Sequence, residues 1–138
     1  MAPHLKRVRT AYAARRDVMA EALAPGRALG LAFRPPDGGI YQWCRVPSGV
    51  DRPRLLASAA ERGVAFFPGG SCFVGEPSGE FIRLNFSYPS IGHIRDGIPR
   101  LLDELAEATP AAIPPAAAVQ PAEAPAPPNG TWPARNTC

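Results

Sequence analysis

Phe81-Ile82-Arg83-Leu84-Asn85-Phe86-Ser87 is the stretch from which the fold is read. Side chains of a strand alternate between two faces, and here they sort cleanly. Ile82, Leu84 and Phe86 form one uniformly apolar face, while Phe81, Arg83, Asn85 and Ser87 form the other. The apolar face is expected to point into a core, which projects Arg83 and Asn85 away from it. An arginine set among Phe81, Ile82, Leu84 and Phe86 is costly unless its charge finds a partner. Two partners would serve. One is an internal carboxylate in a structural salt bridge. The other is the carboxylate of a ligand, which a guanidinium meets as a planar two-bond fork. The residues alone leave both open.

The flanks supply what would cover that apolar face. Downstream, Ser90 can cap a helix carrying Ile91, Ile94, Ile98, Leu101, Leu102 and Leu105 at helical spacing. Pro99 removes a backbone donor there and disfavours helix at Ile98, which predicts a kink or break near Gly97-Ile98. Upstream, Val64 to Phe67 reads as a short buried strand ended by Pro68-Gly69-Gly70. Before it, Asp51 is a plausible N-cap, Pro53 sits in a first helical turn, Leu55, Leu56, Ala59 and Ala60 turn inward, and Gly63 is the stop. Ile40 to Val46, with Tyr41 and Trp43, alternates as a strand. It pairs with Leu31 to Arg34 across the Gly-rich turn Pro35-Pro36-Asp37-Gly38-Gly39. His4 to Leu23 opens the chain as a helix with Leu5, Val8, Tyr12, Met19 and Leu23 on one side, stopped by Pro25-Gly26. The sum is α-β-β-α-β-β-α, an α+β fold with helices packed on a small antiparallel or mixed sheet.

The chain has 138 residues, and its composition divides it. Residues 1–107 carry the periodic patterns, whereas residues 108–138 are dominated by Ala and Pro. Such a tail lacks the apolar surface to offset its ordering entropy and is expected to be disordered. The net charge of +3 is modest and spread out, carried by many Arg and the single Lys6. That argues against a dedicated nucleic-acid binder. Cys44, Cys72 and Cys138 are far apart and odd in number, and no secretory leader precedes them, which reads as a reducing, cytoplasmic compartment. No apolar run approaches the ~20 residues that span a bilayer. The first sixteen residues are basic and acid-free, as in a mitochondrial transit peptide, but the same helical pattern runs on through Asp17 and Glu21. Asn129-Gly130-Thr131 and Asn85-Phe86-Ser87 match the glycosylation pattern, discounted without a secretory signal. His4 and His93 each stand alone, so no metal site is expected, and no phosphate-binding glycine loop or nucleophile elbow is present.

Five segments, in order, resemble the small domain of fold-type I aminotransferases, in the branch of the 2-aminoadipate and aromatic enzymes. His4 to Arg9, with Tyr12 and Arg15-Arg16-Asp17, is similar to its opening helix. Pro36-Asp37-Gly38-Gly39-Ile40-Tyr41-Gln42-Trp43 is similar to its Pro-x-Gly-Gly-aromatic segment. Arg62 to Gly69 resembles its Gly-Val-x-x-x-Pro-Gly strand, and Arg83 to Ser87 resembles the strand whose arginine binds the substrate α-carboxylate. Ile91 to Ile98 resembles the closing helix. The resemblance implies that Arg83 clamps the carboxylate of an amino-acid or 2-oxo-acid substrate and that Gly38-Gly39 let backbone approach it closely. Tyr41 is a weaker substrate contact, with strand packing as its other reading. It also implies pyridoxal 5′-phosphate in the complete enzyme, held by a lysine of a large domain absent here, since Lys6 lies away from the expected site. This chain alone is expected to hold no cofactor and to have no catalytic residue. Its partner would be the missing large domain or a partner chain, in a family that is normally homodimeric. Two other readings are the ligand-sensing body of a MocR-type transcriptional regulator and a small α+β interaction module with a basic helix 4–23. Pro99 and the Ala/Pro tail depart from the family pattern.

Overall fold

A computed structural model describes residues 2–69 and 80–110. Gly70, Cys72, Cys138 and the Ala/Pro segment beyond Pro110 lie outside the described residues, so the expected disorder of 108–138 is untested there.

Helix α1 spans Ala2–Leu23 and runs directly into a 3-10 turn, Ala24–Leu29. Strands β1 (Ala32–Phe33) and β2 (Tyr41–Arg45) follow, then α2 (Arg52–Glu61), β3 (Phe67–Pro68), β4 (Phe81–Asn85) and α3 (Ile91–Ala108). This is the expected order of elements. The sheet order is β1-β2-β4-β3, and every pairing is antiparallel. The decisive strand, β4, is therefore interior.

The expected caps form. Asp51 Oδ1 accepts the Arg54 N–H at 3.1 Å, and Ser90 Oγ accepts that of His93 at 3.1 Å. Gly63 ends α2 at φ 78°. One core joins all three helices to one sheet face. Met19 and Leu23 of α1, Leu55 and Ala59 of α2, and Ile94, Ile98, Leu101 and Leu105 of α3 pack with Cys44, Ile82, Leu84 and Phe86. The predicted apolar face of β4 is the core face, with Ile82, Leu84 and Phe86 each no more than 3% exposed. Among the described residues no helix covers the opposite face, and no helix is long and apolar enough to cross a membrane.

Three expectations are corrected. Val64 to Phe67 is not a buried strand. Only Phe66 of that run is buried, and the strand is the edge pair Phe67–Pro68, with Phe67 51% exposed. An edge strand two residues long has only one side to bury, so the apolar run could not predict which aromatic turned outward. Helix α3 does not break near Gly97-Ile98. It continues through Pro99, which is exposed, so the Arg95 carbonyl that loses its donor can turn to water. Finally, Leu5 is 53% exposed and Ala60 is exposed, because α1 overhangs the core at its start and α2 buries a narrower stripe than its composition suggests.

Candidate functional site

The sheet face away from the three helices is set by the β2–β4 register. Trp43 stands opposite Arg83, Tyr41 opposite Asn85 and Arg45 opposite Phe81, while on the other side of β4 Phe67 also stands opposite Arg83. Pleating places Tyr41, Trp43, Phe67, Phe81, Arg83 and Asn85 on one side. An aromatic field thus surrounds Arg83, with a second cation, Arg45, further along the same face.

Arg83 lies in a corner made by two rings. Its guanidinium carbon is 4.8 Å from the Tyr41 ring centre and 5.1 Å from that of Phe67. Those rings meet edge to face at 88°, 6.5 Å apart. Ring faces carry negative charge density and attract a cation, but they do not satisfy its N–H donors. The Nε of Arg83 is buried without a hydrogen-bond partner, and among the described residues no carboxylate pairs with the group. A structural salt bridge, the first reading of Arg83, is therefore absent among those residues. A buried unsatisfied charged donor is the kind of exception that calls for an explanation.

Asn85 lies two residues along on the same face. Its Oδ1 accepts both the backbone N–H and the hydroxyl of Ser87, each at 2.7 Å. The Ser87 carbonyl in turn accepts from Arg15 of α1 at 2.5 Å. The far end of the face is closed by Gly69. A Cβ there would stand 2.8 Å from both Phe81 Cβ and the Trp43 ring, so the chain passes those rings only as glycine. A groove of ≈ 650 Å³ opens beside Asn85 and Phe67, walled by Val64, Leu84, Ile94 and Ile98.

Of the three residues singled out in the sequence, Tyr41 and Arg83 are brought together. Gly39 is placed in the turn before β2 at φ 85°, a conformation that itself asks for glycine, and a Cβ on neighbouring Gly38 would meet nothing within 4 Å. Phe67 was missed, because its apolar run suggested burial. The facing of Asn85 was legible, but its hydrogen bonds to Ser87 were not.

Two further groups among the described residues, Cys44 and Glu104, read as inert or structural. Cys44 is fully buried, and burial drives its thiol pKa strongly upward against a small opposing effect of Arg27, so it remains the protonated, non-nucleophilic form. The carboxyl of Glu104, a buried residue on α3, is held below its ordinary range by the Ser58 hydroxyl and by Arg62 of the α2 C-terminus, whose Nη1 lies 2.9 Å away. Among the described residues no cluster of His, Cys, Asp or Glu could hold a metal ion.

No family model matches the chain. In sequence it is 35% identical over 104 residues to aromatic-amino-acid aminotransferase 1 of Thermococcus litoralis, covering 75% of this chain and 25% of the relative. In structure it superposes on the kynurenine aminotransferase of Pyrococcus horikoshii with a TM-score of 0.69 at 34% identity, covering 77% of this chain and 26% of that one. It superposes on the α-aminoadipate aminotransferase of Thermus thermophilus, solved with N-(5′-phosphopyridoxyl)-L-leucine, with a TM-score of 0.70 at 29% identity, covering 77% and 27%. An uncharacterized HTH-type transcriptional regulator of Bacillus subtilis is 24% identical over 95 residues, 69% of this chain and 19% of that protein. The chain spans about a quarter of the length of the curated relatives it matches.

Proposed function

We propose, from the premise that aminotransferases are relatives of this chain both in sequence and in structure, that residues 1–107 are the small domain of a pyridoxal-phosphate-dependent aminotransferase in which Arg83 receives the substrate α-carboxylate. The observation that carries the reading is the Arg83 guanidinium, cornered by Tyr41 and Phe67, with its Nε lacking a hydrogen-bond partner and no carboxylate beside it among the described residues. A carboxylate in the guanidinium plane would fill its donors while the two rings hold that plane. Tyr41 would contact the substrate beside its carboxylate. Gly39 would keep the turn next to it free of side chain.

In such an enzyme pyridoxal phosphate supplies the electron sink and is carried on a lysine. The single lysine here, Lys6, is exposed on α1, and α1 packs on the sheet face opposite Arg83. These residues do not fit the covalent group, and no catalytic step is assigned to them. The cofactor, its lysine and any homodimer contact would belong to the part of the relatives that this chain does not span. What this chain's own residues would do is bind and orient a carboxylate.

The test is a chimera in which residues 1–107 replace the matching quarter of the Thermococcus litoralis relative. Transamination by the loaded chimera, with kcat/KM lowered about 100-fold or more by Arg83→Leu, is the expected result, as for loss of a charge-assisted two-bond clamp. A chimera that transaminates equally well with Arg83→Leu overturns the assignment. The Bacillus subtilis relative favours a second reading, the ligand-sensing body of a MocR-type regulator. A DNA-binding head in the upstream reading frame would select it.

A further inference from the structure

We propose that Asn85 is a second donor of the Arg83 site and makes it prefer 2-oxo acids to simple carboxylates; this rests on the reading of Arg83 as the carboxylate anchor. An asparagine side chain has an accepting and a donating end, and which end faces a ligand is fixed by what binds the other. Here the backbone N–H and the hydroxyl of Ser87 both donate to Oδ1. That occupies the accepting end inside the turn. The Nδ2 group, the donating end, makes no hydrogen bond among the described residues. Arg15 holds the Ser87 carbonyl from α1, so the turn that orients the amide is itself tied to the helical layer.

Asn85 and Arg83 are two positions apart on one strand face, about 7 Å by the strand rise. Tyr41 bridges them: it is Asn85's partner in the register and its ring lies 4.8 Å from the Arg83 guanidinium. The patch therefore offers a cationic fork and, beside it, a neutral donor. A 2-oxo acid matches both, carboxylate to Arg83 and the adjacent carbonyl oxygen to Asn85 Nδ2. A simple carboxylate leaves the amide unmatched, and an α-ammonium group, with donors only, finds no acceptor at Nδ2.

The experiment is an NMR titration of the ¹⁵N-labelled full chain with 4-phenylbutanoate and with 2-oxo-4-phenylbutanoate, following the Arg83 Nε–H and Asn85 Nδ2 signals. Both acids are expected to move the Arg83 signal, and only the 2-oxo acid the Asn85 signal. The 2-oxo acid binds about fivefold to tenfold more tightly, as for one added hydrogen bond. Asn85→Ala brings the two affinities within about twofold and spares that of 4-phenylbutanoate. Ser87→Ala, which frees one of the two bonds on Oδ1, narrows the preference partway. If both acids bind through Arg83 equally well in the wild type, or Asn85→Ala keeps the preference, the Asn85 assignment falls and the Arg83 reading stands. If neither acid moves the Arg83 signal, both fall. The wild-type signals decide the matter even if Asn85→Ala does not fold.

Discussion

The Arg83 guanidinium is positioned by two ring faces rather than by a carboxylate, and the rings do unequal work. Tyr41 belongs to an interior strand and is half-buried, whereas Phe67 sits on the edge and is 51% exposed. Removing the Phe67 ring should therefore cost little stability and act mainly on the cation. A cation–π contact at a partly exposed site contributes about 0.5–1 kcal/mol. Phe67→Ala is expected to weaken carboxylate binding about twofold to fivefold while shifting the thermal midpoint only slightly. A large fall in the midpoint with unchanged affinity would make Phe67 a packing residue and nothing more.

At the scale of elements, α2 is joined to α3 by a charged contact as well as by the core. Arg62 at the end of α2 bonds Glu104 of α3 at 2.9 Å and lies 3.5 Å from Asp103. The Glu104 pKa is lowered in the folded chain, so the fold binds that proton less readily than the unfolded chain does. The resulting stabilisation is present above the ordinary value of 4.5 and is lost as pH falls through the lower folded value. Thermal midpoints should therefore decline on acidification below pH 4.5, and Glu104→Gln should flatten that limb while lowering stability near neutrality. Parallel acid limbs for the two proteins would show that the contact does not couple folding to pH. Within α3 the apolar stripe outweighs Pro99. Ile94, Ile98, Leu101, Leu102 and Leu105 bury one face on both sides of the proline, and one lost bond on the solvent side does not release that face.

The whole molecule has helices on one side of its sheet and, among the described residues, none on the other. The side away from the helices carries Phe67, 51% exposed, and Tyr88, after β4, is 92% exposed. Exposed aromatic surface favours association, and a core of about a hundred residues leaves a small stability margin. Sedimentation velocity of the isolated chain is expected to show concentration-dependent self-association, reduced by Phe67→Ala. A strict monomer with a sharp, reversible unfolding transition at every concentration would count against an interface on this face.

Local chemistry determined a good deal of this. The two-residue period of β4 decided which of its residues enter the core, because a strand has only two faces. The side chains of Asp51 and Ser90 decided where two helices start, and the order of elements follows from such local signals. Arg83 stood out because a cation among phenylalanines needs an explanation wherever the chain runs. Other features depended on contacts between distant segments. Sheet order made β4 interior and put Phe67 and Tyr41, sixteen and forty-two residues away in sequence, around Arg83. Edge position turned Phe67 outward, though its apolar run suggested burial. Ser87 decided which end of the Asn85 amide is engaged, and Arg15 ties that turn to α1. Whether Arg83 had an internal partner was likewise a tertiary question, since a carboxylate anywhere along the chain could have supplied one and none of the described residues does.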